Sequence, residues 1–261
     1  MSRSETNLKQ VAIVTGGSGG IGAGIVRRLS EAGHPVSIGF ATTSGCERAH
    51  EFTEQLRSEG HSVMAVEMDV TSAESVDGAL AQTTTHLGPP LILVNNGGIR
   101  GGHTVAKTEL DEWDRIIAVN LTGTYLASRA ALPAMRQAHW GRIINISSPA
   151  GDRAYLAAGA YGASKAGVNL LTKVMAMELA TEGITVNALM PGVVLSEMMT
   201  SAGPELLDHL LRAEAAPRPV EAEEIGAMTA YLCGNESPMV NGQVIAVHGG
   251  GVSLPRREGG R

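Results

Sequence analysis

The sequence predicts an α/β protein, a doubly wound parallel sheet of about seven strands with helices on both faces. Three observations predict this fold. Short apolar runs alternate with segments of helical periodicity along most of the chain. Aromatic residues make up only 3% of the composition, so the core must consist mainly of aliphatic side chains, as in a parallel sheet that is covered on both sides. The length of 261 residues suits one large domain with a sizeable core.

Each predicted strand is a short apolar run, and most of these runs have glycine, asparagine or proline immediately before or after them. Runs of this length with many β-branched residues are typical of strands buried on both faces. In chain order the predicted strands are 11–14, 36–40, 63–68, 91–94, 142–146, 184–189 and 242–247.

Each predicted helix repeats apolar residues at helical spacing, and the first two end at Gly33 and Gly60. Pro133 predicts an irregular last turn in the fourth helix. The predicted helices are 21–32, 46–59, 73–87, 110–135, 160–181, 197–215 with an interruption at 203–204, and 221–233. Because no linker or repeat interrupts this order, we expect a single domain over 1–261, with flexible ends at 1–8 and 252–261.

Composition excludes several classes of function. The formal net charge of −6 and the lack of a basic run argue against a general nucleic-acid binder. No apolar stretch approaches membrane-spanning length, and nothing at the N-terminus resembles a signal peptide. Cys46 and Cys233 lie outside any CxxC pattern and are expected to be reduced thiols. We therefore expect a cytoplasmic protein with no metal site.

A glycine-rich loop at 15–22 joins the first strand to the first helix, which is how a nucleotide-binding βα unit begins. Two registers fit its sequence, Thr-Gly-Gly-Ser-Gly-Gly-Ile-Gly. One places the key glycines at 17, 19 and 22, as in the general dinucleotide fingerprint, and the other places them at 16, 20 and 22. In both, small residues let backbone N–H groups approach a pyrophosphate at a helix N-terminus.

The end of the second strand bears on the choice of cofactor. An acidic residue about 20 positions beyond the loop usually binds the ribose 2′-hydroxyl of NAD. Here the strand is followed by Ala41 and three hydroxyl residues, Thr42, Thr43 and Ser44, and the first acid is Glu47. Nothing there would repel a 2′-phosphate, so the sequence favours NADP(H), with NAD(H) as the alternative.

Ser148, Tyr161 and Lys165 form the strongest catalytic pattern. Tyr161 and Lys165 are four residues apart in a predicted helix and therefore share one face. A phenol with a pKa near 10 is a poor acid or base at neutral pH, and a nearby ammonium favours its phenolate. Ser148, which follows the fifth strand, can donate a hydrogen bond to the same substrate oxygen. The set suits proton transfer at an oxygen while hydride moves at the adjacent carbon.

Together these motifs resemble the short-chain dehydrogenase/reductase family over about 11–250. The family places its loop glycines at 16, 20 and 22. The matching residues are the loop from Thr15 to Gly22, Asn95-Asn96-Gly97-Gly98 where the family has Asn-Asn-Ala-Gly, Asn120, Ser148, Tyr161-x-x-x-Lys165 and Pro191-Gly192.

The resemblance implies a single-domain Rossmann-type fold and a mechanism. Tyr161 would exchange the proton, Ser148 would polarise the substrate oxygen, and Lys165 would bind the nicotinamide ribose and lower the pKa of Tyr161. Asn120 would anchor a water that leads to solvent. The implied cofactor-binding residues are Thr15, Gly16, Ser18, Gly19, Gly20, Ile21, Gly22, Phe40, Ala41, Thr42, Thr43, Asp69, Val70, Asn96, Gly97, Gly98, Tyr161, Lys165, Pro191, Gly192 and Val194.

The sequence says less about the substrate than about the cofactor. In its overall sequence pattern the chain is most similar to the 3-oxoacyl-[acyl-carrier-protein] reductases of the family. This similarity implies a carrier-bound acyl substrate of fatty-acid or polyketide type. However, two positions where such enzymes are expected to carry arginine hold His139 and Glu182, and a glutamate repels an acidic carrier. A free ketone or secondary alcohol is the main expectation, with a lid over 193–219. A non-catalytic dinucleotide sensor is the remaining alternative, and the resemblance also implies a homotetramer or dimer.

Overall fold

A computed structural model describes residues 10–195, 211, 216 and 218–250. It contains one sheet of seven strands in the order β3-β2-β1-β4-β5-β6-β7, and every recorded strand pair is parallel. The strands are β1 (Val11–Val14), β2 (Val36–Phe40), β3 (Val63–Glu67), β4 (Pro90–Asn95), β5 (Gly141–Ile146), β6 (Ile184–Pro191) and β7 (Val244–Val247). The Rossmann-type fold predicted from the alternating pattern is confirmed.

Seven α-helices connect these strands within the described residues. They are α1 (Gly20–Glu31), α2 (Thr43–Ser58), α3 (Ala73–His86), α4 (Leu110–Ile117), α5 (Gly123–Ala138), α6 (Gly159–Leu179) and α7 (Ala222–Cys233). The predicted helix at 197–215, the lid at 193–219 and the flexible ends lie wholly or mostly outside the described residues. The assignment of a single domain remains a prediction.

Helix α2 begins three residues earlier than predicted. The Thr42 hydroxyl accepts a hydrogen bond from the Gly45 N–H at 3.0 Å, which satisfies one of the free donors at the helix start. Residues that looked like a polar loop in the sequence therefore form the first turn of a helix that faces the glycine loop.

The predicted helix at 110–135 has a different form. A π-helical turn at 118–122 separates α4 from α5, and α5 continues through Pro133 to Ala138. The expected irregular end at Pro133 is wrong, because the helix ends instead at His139, which takes a left-handed conformation with φ 48°.

Two apolar clusters, rich in Ile, Val, Leu and Ala, pack against the sheet. Between β1 and β4 the strand order reverses direction, with β2 and β3 on one side and β5, β6 and β7 on the other. In open α/β sheets, ligands bind outside the carboxyl ends of the strands at such a switch point. The topology therefore places the functional cleft beside the glycine loop that follows β1.

Candidate active site

The glycine loop adopts the register with key glycines at 16, 20 and 22. Gly16 and Gly20 have positive φ angles of 60° and 51°, which disfavour other residues. A Cβ on Gly22 would lie only 2.2 Å from the Gly16 carbonyl oxygen. Gly19, by contrast, has an extended backbone, and a Cβ there would meet nothing closer than 3.9 Å. The geometry supports the second register and leaves position 19 open to a side chain.

Residues after β4 hold this loop in place. The Asn96 amide donates hydrogen bonds to the carbonyl oxygens of Thr15 and Gly16 at 3.0 and 2.9 Å. In return, the Thr15 hydroxyl accepts the N–H groups of Asn96 and Gly97 at 3.0 and 2.8 Å. The two motifs on either side of the switch point thus form one rigid unit, which explains why both occur in the sequence.

A cavity of about 730 Å³ opens along this unit, a size that accommodates a large organic ligand. Ser148 and all but two of the predicted cofactor-binding residues line it. The exceptions are Gly22, which packs behind the loop, and Thr43, which does not face the cavity. Asn120 is buried and does not line the cavity either. The predicted catalytic and cofactor motifs therefore converge on one cleft.

The end of β5 and the start of α6 bring the catalytic cluster together. Ser148 caps a short 3-10 turn, where its hydroxyl accepts the Ala150 N–H at 3.2 Å, and both Ser148 and Tyr161 line the cavity. Lys165 lies one turn beyond Tyr161, with its Nζ 5.8 Å from the phenol ring centroid. This Nζ donates to the Ile146 carbonyl oxygen at 2.7 Å.

Burial dominates the titration of both groups. Burial raises the pKa of Tyr161 above its usual value, and the Ser148 hydrogen bond and then the charge of Arg100 oppose this rise. Burial lowers the pKa of Lys165 to about 8. The net shift in the pKa of Tyr161 is upward because the desolvation of the phenolate outweighs the Ser148 hydrogen bond and the charge of Arg100. The expectation that Lys165 lowers the pKa of Tyr161 stays a prediction. Tyr161 is held as a neutral phenol, the form that donates a proton.

Asn120 lies in the π-helical turn and is 1% exposed. Its side chain accepts the Ile99 N–H at 2.8 Å and donates to the Ile99 carbonyl at 2.9 Å and to the Ser164 hydroxyl at 3.0 Å. The Ser164 hydroxyl donates in turn to the Tyr161 carbonyl at 2.7 Å. Asn120 thus ties the segment after β4 to the helix that carries Tyr161.

Arg48 is a residue that the sequence reasoning missed. It lies in the second turn of α2 and lines the cavity beside Ala41, Thr42 and Gly45. Its Nε is 3.9 Å from the position of a Cβ on Gly19. The signal in the sequence was a cation one helical turn after the hydroxyl residues, but it is recognisable only once the helix is known to begin at Thr43.

The cleft suits a dinucleotide. The cavity-lining cations, among the residues that the structure describes, are Arg48, Arg100, Arg115 and Lys165, and the only carboxylate is Asp69. This local excess of positive charge contrasts with the net charge of −6 for the chain and favours a polyanionic ligand. The loop glycines additionally leave room for a phosphate to approach the backbone at the start of α1.

Other site types find little support. In the described parts of the chain no group of three or more His, Cys, Asp or Glu could hold a metal ion. No helix among those same residues is long and apolar enough to cross a membrane. Both cysteines are free, and burial raises the pKa of the Cys233 thiol to about 12.

Comparisons with known proteins agree with this geometry. The family model for short chain dehydrogenases matches residues 10–206. The chain is 37% identical over 242 residues to the 3-oxoacyl-[acyl-carrier-protein] reductase FabG of Pseudomonas aeruginosa, covering 92% of this chain and 96% of that protein.

Among solved structures, a variant of the actinorhodin polyketide ketoreductase with NADPH is similar with a TM-score of 0.88 and 33% identity, over 94% of this chain and 97% of the other. A gluconate 5-dehydrogenase from Burkholderia cenocepacia, in complex with NADP and tartrate, is similar with a TM-score of 0.86 and 30% identity, over 92% and 94%. With its glycine loop, its Ser–Tyr–Lys cluster and a family match over most of its length, the chain belongs to the short-chain dehydrogenase family of oxidoreductases.

Proposed function

We propose that the protein is an NADPH-dependent ketoreductase that converts a free ketone to a secondary alcohol. The observation that carries this proposal is that Ser148, Tyr161 and Lys165 line the same cleft as the glycine loop. Two hydroxyl groups converge there on the position that a substrate oxygen would take. Because burial keeps Tyr161 protonated, the site is set to donate a proton to that oxygen, as reduction requires.

The roles of the residues follow from their positions. Bound nicotinamide supplies the hydride. Ser148 polarises the carbonyl oxygen, and Tyr161 gives it the proton. Lys165, whose ammonium is buried and already bound to the Ile146 carbonyl, holds a positive charge beneath Tyr161 that stabilises its phenolate once the proton has left. Asn120 positions Tyr161 through Ser164.

The preference for NADPH is supported by Arg48. A 2′-phosphate is recognised best by an arginine, which can form two charge-assisted hydrogen bonds. Arg48 lines the end of the cavity where β2 and α2 meet the glycine loop, which is where a dinucleotide fold holds the adenosine ribose. No carboxylate stands at position 41, 42 or 43 to bind the 2′-hydroxyl of NAD(H) instead.

A carrier-bound acyl substrate is the second candidate, and the similarity to FabG favours it. The ion pair between Arg136 and Glu182 argues against it. The Arg136 Nε lies 2.6 Å from a Glu182 carboxylate oxygen, so the charge of this arginine is already neutralised. An acidic carrier would find little attraction there. The similarity to a gluconate 5-dehydrogenase, moreover, fits a free substrate.

The assembly is proposed to be a homotetramer or dimer, and the location cytoplasmic. Helices α4, α5 and α6 present large exposed apolar side chains, namely Trp113, Tyr125, Leu170, Val174 and Met177. Extensive exposed apolar surface of this kind marks protein interfaces. Sedimentation analysis at micromolar concentration tests the assembly, and a monomer would contradict it.

One assay tests the function. NADPH oxidation is followed by absorbance against a panel of free ketones and the same acyl groups linked to acyl carrier protein. Turnover of free ketones at rates equal to or above those of the carrier-linked forms supports the proposal. Turnover confined to carrier-linked substrates favours the second candidate, and cofactor binding without any turnover contradicts both.

A further inference from the structure

Arg100 is a cavity-lining cation that the proposed chemistry does not use. It follows Asn96, Gly97 and Gly98 along the segment that leaves β4, and it lines the same cleft as Ser148 and Tyr161. Its side chain is neither fully exposed nor fully buried. A cation in this position faces the space between the glycine loop and the Ser–Tyr pair.

None of the described residues neutralises this cation. Across the residues that the structure describes, Arg100 has no hydrogen bond and no ion pair. Glu112, whose carboxylate approaches the neighbouring Gly101, is bound by His103 with a distance of 2.7 Å between Nδ1 and Oε2. A guanidinium that lines a ligand cleft without a protein counter-charge is available to bind an anionic group of a ligand.

An anion bound to Arg100 would lie close to the reacting oxygen. The positive charge of Arg100 acts on the Tyr161 hydroxyl and favours its ionisation. Asp69, the only lining carboxylate in the described chain, follows β3, whereas Ser148 follows β5 on the other side of the switch point. Within that part of the chain, no acid on the substrate side of the cavity competes for Arg100.

We infer that Arg100 forms an anion-binding subsite in the substrate end of the cleft, and that the substrate is a short keto acid whose carboxylate this guanidinium binds. The inference rests on the proposed ketoreductase function and adds to it a substrate class. An arginine matches a carboxylate through two parallel hydrogen bonds, which would orient the keto group toward Ser148 and Tyr161. Arg100 is then a specificity-determining residue.

The test compares matched acid and ester substrates with NADPH. Three pairs vary the distance between the carbonyl and the carboxylate: 2-oxobutyrate, acetoacetate and levulinate, each with its ethyl ester. The wild-type enzyme should show a higher kcat/KM for at least one acid than for its ester. In Arg100→Met, that ratio of acid to ester should fall about ten- to a hundredfold, chiefly through KM, because one charge-assisted contact is lost. Arg100→Lys should restore part of it.

Two controls distinguish an anion subsite from a general effect of removing a cation. Lys107→Met removes an exposed cation of the neighbouring 3-10 turn, outside the cavity, and should leave the ratio unchanged. The binary dissociation constant for NADPH, measured by fluorescence, should stay within about threefold in Arg100→Met. A larger loss would assign Arg100 to the cofactor and overturn the inference.

The outcomes also separate failure of the subsite from failure of the proposed function. An enzyme that reduces the esters as well as or better than all three acids retains the proposed function but loses the anion subsite. An unchanged acid-to-ester ratio in Arg100→Met would likewise contradict the anion subsite and leave the proposed function in place. A protein that binds NADPH yet reduces none of the six compounds overturns the inference of a short keto acid, and the wider ketone panel then decides the proposed function alone.

Discussion

The Nε of Arg48 on α2 lies 3.9 Å from the position that a Cβ on Gly19 would occupy in the glycine loop. The side chain from the helix thus reaches the edge of the glycine loop without filling the space beside Gly19. If this guanidinium binds the 2′-phosphate, Arg48→Gln should weaken NADPH binding about ten- to a hundredfold and leave NADH binding within about threefold. Fluorescence titration with each cofactor measures both.

A fragment experiment isolates the contact that Arg48 makes. Binding of 2′,5′-ADP and of 5′-ADP is compared by calorimetry in wild type and Arg48→Gln. Only the first compound should lose affinity. Arg28→Gln removes another arginine charge at the surface of α1, outside the cavity, and serves as the matched control. Equal losses of affinity for both compounds would show that Arg48 supports the adenosine site as a whole and does not bind the 2′-phosphate specifically.

A substitution at Ala41 should shift the cofactor preference toward NADH by adding a negative charge. Ala41 lines the cavity immediately after β2, and Ala41→Asp would place a carboxylate beside the proposed 2′-phosphate position. Repulsion of that phosphate, together with a new acceptor for a 2′-hydroxyl, should shift the ratio of kcat/KM for NADPH over NADH toward NADH by at least about tenfold. An unchanged ratio would mean that the ribose lies elsewhere in the cleft.

Two glycine-to-alanine substitutions in the glycine loop should have very different effects, so that one serves as the control for the other. Gly22→Ala would bring a methyl group 2.2 Å from the Gly16 carbonyl, which neither backbone can avoid without moving the loop. We expect NADPH affinity to fall at least about a hundredfold, with lower stability. Gly19→Ala, at an extended position with open space, should bind within about threefold of wild type. A loss of NADPH affinity in Gly19→Ala as large as that in Gly22→Ala would favour the other register, because only that register makes position 19 a key glycine.

How far the sequence predicted this molecule depends on the range of the interactions involved. The doubly wound parallel sheet followed from local periodicity, and the convergence of the Ser–Tyr–Lys cluster with the glycine loop followed from the resemblance that the motif spacing supports. Arg48 did not, because its approach to Gly19 depends on the start of α2, which a single side-chain cap at Thr42 decides. Helix α5 likewise passes Pro133, although proline disfavours a helix interior.

The pKa of Tyr161 is a second property that the sequence alone could not predict. The four-residue spacing to Lys165 correctly placed both side chains on one face of α6, but it carries no information about desolvation, which raises the net pKa of Tyr161. A pKa depends on everything packed around the group, and that packing comes from β4, β5 and α6 together.

The Tyr161 hydroxyl is the proposed proton donor, so Tyr161→Phe removes the donor and leaves the ring. We expect kcat to fall at least about a hundredfold with NADPH affinity unchanged. Ser148→Ala should also lower kcat, and in addition should raise the pKa of Tyr161 further, because that hydrogen bond favours the phenolate. Stopped-flow kinetics with a good ketone substrate, alongside NADPH titration, checks both variants. Full activity in Tyr161→Phe would remove it from the mechanism.

The depressed pKa of Lys165 predicts a pH-dependent stability. Below about pH 8 the buried ammonium is charged in both native and unfolded chains, and its burial costs the native state free energy. Between about 8 and 10.5 the native chain releases this proton while the unfolded chain retains it, so the contribution to stability rises with pH. A shift from 10.5 to about 8 corresponds to about 3 kcal/mol.

Lys165→Met removes this titration while Tyr161 and every other ionisable group remain. The free energy of unfolding, measured in urea through tryptophan fluorescence, should therefore change in favour of wild type by about 2–3 kcal/mol between pH 7 and pH 10, relative to the variant. The comparison at each pH cancels the groups that the two proteins share. Parallel pH profiles for wild type and Lys165→Met would mean that the ammonium has its ordinary pKa in the folded protein, and that a cation beneath Tyr161 costs the fold nothing.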